Sequence, residues 1–592
     1  MTRPSDIPIS TPILAFSLRQ AVLCGLLALA LDVAIGADHV RAVAGGELIN
    51  PDSYMRFVRL RDILATRSAI DVVARDSSGA GTVLHWSHLL DSLLVLLATP
   101  LTIFMGQTEA IRWAGISLGP LAAGALGAAV AWATAPLTDP VFRWSAAVAV
   151  MLSVPVVGYA VPGVVHHHVL AALTTVMCAG WAGRVGIQGQ PAGIGLGVWA
   201  AFGLWLTPEV MPISLLAFGA VGFGWLLKPS EPSWGTGLVA ATTSLAVVTT
   251  LALAADPPAA NPFDAEIDRL SIAWLAFAAL AAGAGLGLCL LDRLHVPAPW
   301  RASAGLTLVM LAAVTWLASF PAILGGPEGV MNGINPNAFA GISEMQPIRS
   351  FQDAALTLSI GVFGMVVAAA LAVSRRSCLF AYTAAAIVAL LALALLHRRF
   401  GTYQACAGAA AVPVAVTMIS RRLADRPPVW AALARLSLLL FLYTGPIAAY
   451  LLVGAATPAH ETANGCEVAH AASLLRPYAG QVVLADVNIT PELLYWTAVR
   501  TVGSLYHRGS PGYLRLRAAW RSMDTQQVPP AVLATGASLV LFCRGTRRTL
   551  LLGDLPPDTL WDQLARNKPP PWLSEVASAT NGGFTLYRVT SP

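Results

Sequence analysis

Apolar runs of about twenty residues recur along most of this chain, and they restrict its fold more than any other feature. A transmembrane helix needs about 20 consecutive apolar residues to cross the hydrocarbon core of a bilayer. Such runs occupy 18–36, 111–134, 144–161, 168–185, 191–207, 210–227, 235–255, 271–291, 303–322, 355–373, 378–396, 404–420 and 432–454. The sequence therefore predicts a polytopic α-helical membrane protein with about thirteen transmembrane helices.

Composition and charge support this class. Hydrophobic residues make up 56% of the 592 residues and charged residues only 11%, too few to cover the surface of a soluble protein of this size. The formal net charge is +5, and no block of basic residues stands out. We therefore expect membrane lipids as partners and no nucleic acid.

The pattern changes near His460, where a small α/β domain in water is predicted. A helix-like segment, Pro491–Ala498, lies among three stretches that alternate apolar and polar residues: Gln481–Val487, Ala537–Cys543 and Gly583–Val589. The predicted domains are thus a transmembrane domain at 1–455 and an α/β domain at 456–592.

The segment Leu89–Gly106 decides the predicted topology. It is apolar but short, and because it contains Asp91 and Pro100 we interpret it as an interfacial helix rather than a span. The loops 37–110 and 323–354 and the C-terminal domain then lie outside, in the periplasm of a cell inner membrane. The positive-inside rule agrees at Arg184, Lys228, Arg293, Arg375, Arg376, Arg421 and Arg422.

Two groups of residues depend on this outside location. Cys466 and Cys543 are the only cysteines of the C-terminal domain, and an oxidising compartment predicts a disulfide between them. Several arginines after the first span depart from the positive-inside rule, and an anionic ligand would explain them: Arg56, Arg59, Arg61, Arg67 and Arg75.

The first outside loop contains a candidate active-site helix. Asn50 can cap it, Pro51 suits its first position, and Asp52 then lies in the first turn. Asp52, Arg56 and Arg59 follow the spacing i, i+4, i+7 and share one helix face, so a carboxylate and two guanidinium groups could line one site. An exposed helix with an ordinary ion pair would have the same pattern.

Two further motifs lie in loops predicted to be outside. His166, His167 and His168 follow a Pro-Gly turn and offer either metal ligands or a histidine-rich interfacial loop. Glu344 ends Ile342-Ser343-Glu344 in the Gly325–Arg349 loop, where it could coordinate a metal or simply be solvated.

Together these features resemble the GT-C class of membrane glycosyltransferases, and most nearly the catalytic subunit of oligosaccharyltransferases. That family has thirteen spans, an interfacial helix in the first loop and an extracytoplasmic α/β domain. Asp52 matches its first-loop aspartate, and Glu344 matches the glutamate of its late-loop motif. The resemblance implies catalytic roles for Asp52 and Glu344. It also implies a divalent cation, Mg or Mn, held by Asp52, His167, His168 and Glu344.

Two departures from the family pattern are visible. His166 stands where the family has acidic residues, which puts the metal in question. The Trp-Trp-Asp motif that reads the Asn sequon is missing, since Trp561-Asp562 does not reproduce it. Protein N-glycosylation is therefore not the first expectation.

The remaining candidate residues would bind substrate. The resemblance places an arginine on the lipid pyrophosphate where this chain has Arg398, Arg399 and Tyr403, although both arginines could instead reach lipid headgroups. The other substrate-binding candidates are Arg56, Arg59 and His85. The segment Ser504–Arg508 could approach the acceptor, but a surface loop is the expectation.

The function implied is inverting transfer of a sugar or oligosaccharide from a polyprenyl-phosphate or polyprenyl-diphosphate carrier to an acceptor outside. The donor sugar and the acceptor are not specified by the sequence. Two alternatives stay open: a non-catalytic protein descended from a GT-C enzyme, and a transporter. A transporter should show paired broken helices in two matching halves and charges at mid-membrane, whereas here the polar residues collect in outside loops.

Overall fold

The computed structural model describes residues 16–258, 260–325, 342–452, 466–523, 526–544, 558–578 and 583–590. The chain divides into two compact units. The first contains Met1–Arg41, Ser87–Leu324 and Pro347–Ala456, and the second contains Ala42–Trp86, Gly325–Gln346 and Thr457–Pro592. Parts of the two predicted outside loops, 37–110 and 323–354, therefore group with the C-terminal region. Residues 326–341 of the late loop lie outside the described residues.

Helices account for most of the chain up to residue 452. In chain order they are α1 (Leu18–Ile35), α2 (Ala37–Ala44), α3 (Pro51–Thr66), α4 (Leu89–Ala98), α5 (Thr102–Met105), α6 (Gln107–Thr134), α7 (Trp144–Met151), α8 (Val154–Ala160), α9 (His168–Ala182), α10 (Val185–Gln188), α11 (Gln190–Leu206), α12 (Met211–Leu227), α13 (Pro232–Ala255), α14 (Ile272–Arg293), α15 (Ala298–Ser319), α16 (Phe351–Arg375), α17 (Cys378–Leu396), α18 (Gly401–Arg422) and α19 (Pro428–Leu452).

The predicted helical membrane class is confirmed. In the described part of the chain, ten helices are long and apolar enough to cross a membrane, or up to eleven if a bent pair counts as one crossing. The bent pair is α7 with α8, and α9 and α11 are shorter, with 15 and 17 residues. Each predicted span coincides with a helix or with the bent pair, so thirteen is an approximate number of crossings.

Pro155 explains the bend between α7 and α8. It occupies the first turn of α8, and the helix axes on either side of the break differ by 74°. Proline lacks the N–H that would continue the hydrogen-bond ladder of a preceding helix, whereas its fixed φ suits the start of a new one. A single apolar run thus becomes two short helices.

The segment predicted to be interfacial is also interrupted. A 3₁₀ turn at Thr99–Leu101 separates α4 from α5, and Gly106 ends the segment with a φ of +76°. Together α4 and α5 form an apolar helical stretch shorter than a full span. Ile103 and Phe104 expose more than four-fifths of their surface. These features suit a helix at the bilayer surface, and its position there stays a prediction.

Small residues allow α11 and α13 to pack closely. A Cβ atom on Gly193 would approach the carbonyl oxygen of Gly237 to 2.0 Å, and one on Gly197 would approach that of Ala241 to 2.1 Å. The two glycines are four residues apart and face the same neighbour. Close backbone approach of this kind favours helix association in membranes, where lipid removes most of the hydrophobic driving force.

The second unit contains α3 and a mixed sheet. Its other elements are β1 (Val72–Val73), β2 (Thr82–Val83), α20 (Val468–Leu475), β3 (Val482–Leu484), α21 (Thr490–Trp496), β4 (Arg500–Thr501), α22 (Ser510–Trp520), α23 (Pro530–Leu533), β5 (Leu539–Cys543), α24 (Leu560–Ala565), β6 (Leu573–Ser578) and β7 (Phe584–Val589). The strand order is β4-β3-β5-β7-β6, with β3 parallel to β4 and β5, and β7 antiparallel to β5 and β6.

The predicted α/β character of this region is confirmed. The three predicted strands correspond to β3, β5 and β7, and the helix-like segment corresponds to α21. Every residue of β5 is buried. Val540 and Phe542 enter one hydrophobic cluster and Leu539, Leu541 and Cys543 enter another, because successive side chains of a strand point to opposite faces. A continuous apolar strand is therefore required at the centre of the sheet.

The predicted disulfide is also confirmed. Cys466, just before α20, is bonded to Cys543 at the end of β5, with their Cα atoms 6.0 Å apart. The bond closes a chain separation of 77 residues. A crosslink over such a separation stabilises a domain by about 4 kcal/mol if its main effect is on the entropy of the unfolded chain.

Candidate active site

Local capping places Asp52 at the start of α3, as predicted. The Asn50 side chain accepts a hydrogen bond from the backbone N–H of Ser53, with an N–O distance of 2.8 Å, and Pro51 occupies the first turn. Asp52 follows in the first turn and is partly buried. A carboxylate there is stabilised by the unpaired N–H groups of the helix start.

Tyr506 is the clearest partner of Asp52. Its hydroxyl donates a hydrogen bond to Oδ1 of Asp52 over 2.9 Å, across 454 residues of chain. Burial, together with the charge of Asp52, holds the pKa of Tyr506 well above its usual value. The hydroxyl therefore keeps its proton at physiological pH and remains a donor to the carboxylate.

The expectation that Ser504–Arg508 is a surface loop was wrong. Ser504 and Tyr506 are buried, and Tyr506 packs edge-on against Trp86 with ring centroids 5.2 Å apart. The Ser504 hydroxyl donates to the buried carboxylate of Asp76. Two polar partners in the first loop thus hold this segment inside the second unit.

Arg56 and Arg59 both reach Trp86. Their guanidinium carbons lie 4.4 and 5.6 Å from the Trp86 ring centroid, and Arg59 donates to the Trp86 carbonyl over 2.9 Å. The arginines expose only 2% and 0% of their surface. The exposed-helix alternative is therefore wrong for this face of α3. Contact of these arginines with substrate stays a prediction.

The other two candidates of the second unit are less tightly placed. His85 is partly buried, and its ring centroid lies 4.4 Å from that of His507. Glu344 is partly buried in a 3₁₀ turn, Ser343–Met345, and Ile342 packs against a hydrophobic cluster of this unit. Asp52 and Glu344 thus belong to one unit.

The first unit contains the three histidines, which are all buried. Their rings pack on one another with centroids 4.2 to 4.6 Å apart, and the Tyr159 ring lies 4.2 Å from that of His168. One ring nitrogen from each histidine lies within 4.8 Å of the other two. Consecutive residues would not ordinarily converge in this way, and here the start of α9 turns the three side chains to one side.

Glu209 connects this cluster to the predicted phosphate-binding segment. Its carboxylate pairs with the Arg399 guanidinium and accepts a hydrogen bond from the Tyr403 hydroxyl over 3.1 Å. The oxygen that accepts from Tyr403, Oε1, also lies 3.4 Å from Nδ1 of His168 and 3.9 Å from Nε2 of His167. The histidines, Arg399 and Tyr403 therefore surround one carboxylate.

Sequence reasoning missed Glu209. The available signal was Thr207-Pro208-Glu209 between two predicted spans, where a lone acid lies at the end of a helix. Ionisable residues at membrane depth favour functional roles. The signal was weak because nothing local connects residue 209 with Tyr403, which is 194 residues away.

Arg398 has a different environment from Arg399. Its guanidinium pairs with Asp353 over 2.6 Å, and both side chains are 38% exposed. Exposed pairs of this kind contribute about 0–1 kcal/mol. Arg398 can therefore exchange this partner for a ligand at little cost.

The residues of the first unit fit a metal ion by number and by chemistry. Three buried imidazole nitrogens near one point, with a carboxylate beside two of the rings, make a plausible donor set. Imidazole suits transition metals such as Zn, Fe or Ni, whereas magnesium prefers oxygen ligands. A carboxylate beside a ligating histidine commonly fixes its ring orientation. A divalent cation is therefore compatible with this site.

The Trp561-Asp562 pair is structural. Trp561 is buried in a hydrophobic cluster with its ring centroid 5.1 Å from that of Trp520. Asp562 accepts hydrogen bonds from the backbone N–H and hydroxyl of Thr559 and so caps the start of α24. This pair is thus engaged within the domain core.

Comparison with known proteins gives a likeness of fold. No protein-family model and no curated protein sequence matches the chain. Among solved structures, the oligosaccharyltransferase AglB from Archaeoglobus fulgidus, in complex with an inhibitory peptide and a dolichol-phosphate, has a TM-score of 0.66 and 12% identity, and the match covers 96% of this chain and 74% of AglB.

Two other structures of the Archaeoglobus fulgidus oligosaccharyltransferase give the same result at 12% identity. The apo form has a TM-score of 0.70 and the match covers 95% of this chain and 73% of that one. The complex with zinc and sulfate has a TM-score of 0.65, with 97% and 73% covered. The chain therefore has the fold of this archaeal oligosaccharyltransferase over nearly all of its length.

Proposed function

We propose that this chain is an integral membrane glycosyltransferase of the inverting GT-C type. It transfers a sugar or oligosaccharide from a polyprenyl-phosphate or polyprenyl-diphosphate carrier to an acceptor on the periplasmic side of an inner membrane. The observation that carries the proposal is the likeness of fold, over 96% of the chain, to an oligosaccharyltransferase in complex with a dolichol-phosphate. A further structure of that protein carries a tethered acceptor peptide.

Asp52 is the proposed general base. In an inverting transfer the acceptor attacks the anomeric carbon opposite the leaving phosphate, and a carboxylate takes the acceptor proton. The hydrogen bond from Tyr506 orients the Asp52 carboxylate through Oδ1. Glu344, in the same unit, is the proposed second acid of the site.

Arg399 and Arg398 are proposed to bind the carrier phosphate. The Glu209 carboxylate, which accepts a hydrogen bond from the Tyr403 hydroxyl, pairs with the Arg399 guanidinium and holds it in place. A guanidinium group can bind a phosphate through two parallel hydrogen bonds and stabilise negative charge on the leaving group. Arg398 would add a second cation when it leaves Asp353.

The histidine cluster is the proposed metal-binding part of the first unit. A bound divalent cation would stabilise charge on the departing phosphate. His166, His167 and His168 would hold it and Glu209 would orient their rings. Because imidazole donors favour transition metals such as Zn, Fe or Ni, zinc is preferred here to magnesium or manganese.

The decisive experiment is Asp52→Asn, assayed by transfer of labelled sugar from a polyprenyl carrier in membranes that lack the native protein. The amide preserves the shape of the side chain but cannot take the proton, so the rate should fall by about 10²–10⁴-fold. Asp558→Asn is the matched control, because Asp558 is an exposed acid paired with Arg566 on the same unit. Full transfer by Asp52→Asn would remove the proposed base.

Metal binding has an independent test. Calorimetric titration of chelator-treated protein with Zn²⁺ should give one binding event in the wild type, which His167→Ala and His168→Ala abolish. Unchanged binding in both variants would contradict the histidine site. The measurement does not depend on transfer activity, so it separates loss of the ion from loss of the base.

A further inference from the structure

The second unit contains a cavity that is separate from the contacts of Asp52. Its volume is about 520 Å³, and three arginines are among the residues that line it: Arg61, Arg75 and Arg476. Asp62, Tyr495 and Trp496 also line it. We call it the arginine cavity.

Two of the arginines are held in place by the C-terminal end of α21. Arg75 donates to the carbonyls of Thr497 and Leu494 over 2.7 and 2.5 Å. Arg61 donates to the carbonyls of Leu494 and Tyr495, each over 3.3 Å. These carbonyls orient the guanidinium groups and carry no formal charge. Each guanidinium has five N–H donors, so donors remain for a ligand.

The positive charge of the arginine cavity is only partly balanced. Asp62 supplies one carboxylate against three guanidinium groups. Burial and the neighbouring Arg61 charge lower the pKa of Arg75 below its usual value, and Asp62 opposes this shift only in part. Like charges held this close repel one another, and an anion between them would relieve the repulsion.

Arg476 differs from the other two arginines. It lies on a 3₁₀ turn, Arg476–Tyr478, and its side chain is exposed. The rings of Tyr495 and Trp496, two further residues of the lining, meet edge to face with centroids 4.9 Å apart. A cationic wall beside an aromatic wall suits a ligand that has both an anionic group and an apolar face.

We propose that the arginine cavity binds a ligand through a phosphate or carboxylate group, as a site additional to the one for transfer. Guanidinium groups from α3, the segment after β1 and the turn after α20 converge on the anion. The aromatic wall contacts the body of the ligand. This assignment gives a role to two of the first-loop arginines that depart from the positive-inside rule.

Binding of inorganic pyrophosphate to the full-length protein in uncharged detergent tests the proposal. Calorimetry should show saturable binding by the wild type that weakens about tenfold or more in Arg476→Gln and in Arg61→Gln, since each loses charge-assisted hydrogen bonds. Arg544→Gln, an exposed arginine of the same unit that does not line the cavity, should bind like the wild type.

Two results would overturn the proposal: no binding by the wild type at millimolar pyrophosphate, or equal binding by the wild type, Arg476→Gln and Arg61→Gln. Arg476 is exposed, so its variant tests the cavity even if Arg61→Gln fails to fold. Because Arg398 and Arg399 are proposed to bind a carrier phosphate, the titration is repeated in an Arg399→Gln background, where the binding that depends on Arg476 and Arg61 should persist. Transfer from the polyprenyl carrier is assayed separately, so failure here leaves Asp52 as the proposed base.

A second experiment distinguishes a lipid headgroup from a soluble molecule as the source of the anion. If the natural ligand is a lipid headgroup, protein in phosphatidylglycerol nanodiscs should lose pyrophosphate binding, whereas protein in phosphatidylcholine nanodiscs should keep it. If the ligand is soluble, both preparations should bind pyrophosphate alike. Either pattern supports an anion site if Arg476→Gln weakens pyrophosphate binding in each nanodisc preparation in which the wild type binds it.

Discussion

One hydrogen bond gives Asp52 a defined orientation at the residue scale. The Tyr506 hydroxyl reaches it over 2.9 Å, and both residues belong to the second unit. Because Tyr506 retains its proton, it stabilises the ionised form of Asp52, which is the form that a general base requires.

Replacement of Tyr506 by phenylalanine should therefore slow transfer without unfolding the protein. Loss of a hydrogen bond to a charged group costs about 1.5–3 kcal/mol, equivalent to roughly 10–100-fold in rate. Tyr478→Phe removes a hydroxyl elsewhere in the same unit and should leave transfer unchanged. A Tyr506→Phe variant as active as the wild type would show that Asp52 needs no such support.

Glu492 makes the stability of the second unit depend on pH. Burial, reinforced by the charges of Glu47 and Glu467, raises its pKa from 4.5 to about 7. The folded state then holds a proton that the unfolded state has released. The contribution of Glu492 to the free energy of unfolding is therefore complete below about pH 4.5. It falls by on the order of 3 kcal/mol as the pH rises to about 7.

Glu492→Gln should remove this dependence, because glutamine resembles the protonated acid at every pH. We expect the variant to melt at a higher temperature than the wild type at pH 8, with the difference shrinking at pH 5. Glu575→Gln, at an exposed position on β6, is the control and should follow the wild type. A variant whose melting changes with pH as the wild type does would contradict the assignment.

At the scale of elements, Asp256 joins four segments of the first unit. It follows α13 directly, pairs with Arg269 over 2.6 Å, and accepts hydrogen bonds from the Trp205 indole and the His88 backbone. Burial opposes its ionisation, but the His88 hydrogen bonds and the Arg269 charge together lower its pKa. The start of α4 is thereby tied to the end of α13.

Asp256→Asn should destabilise this unit by about 3 kcal/mol, since it leaves the buried Arg269 cation without its anion. The effect should appear as a lower melting temperature of the purified protein in detergent. Asp264→Asn, in the same loop, should have little effect. Equal melting of the two variants would show that the ion pair contributes nothing.

The sequence predicts elements better than it predicts partners. Asn50 and Pro51 mark the start of α3 because capping depends on neighbouring residues. The strand β5 can be predicted from the sequence because all five of its residues, which are buried in the structure, are apolar. The strand β4 could not be predicted because two residues are too few to show an alternation of apolar and polar side chains. Glu209 and Tyr506 escape because their partners lie 194 and 454 residues away, and no local pattern encodes such distances.

At the scale of the whole molecule, topology is the prediction with most consequences. The parity of the spans and the arginines of the predicted inner loops predict that Lys228 lies inside and Lys568 outside. In a Cys378→Ser background, Lys568→Cys should react with a membrane-impermeant thiol reagent in intact cells, whereas Lys228→Cys should react only after lysis. Cys378 must be replaced because it is an exposed free thiol. Labelling of the two sites in the opposite order would invert the topology.

The second unit is assembled from three separate segments of chain, and this has a consequence for biosynthesis. Tyr506 leaves the ribosome 454 residues after Asp52. At about 5–20 residues per second, the delay is on the order of 20–90 s. During that interval the apolar residues of segment 42–86 lack the C-terminal residues against which they pack in the folded protein, such as Leu494 and Tyr506. We therefore expect a chaperone to bind this segment during synthesis. We also expect chains whose translation stops before residue 500 to be degraded by proteases.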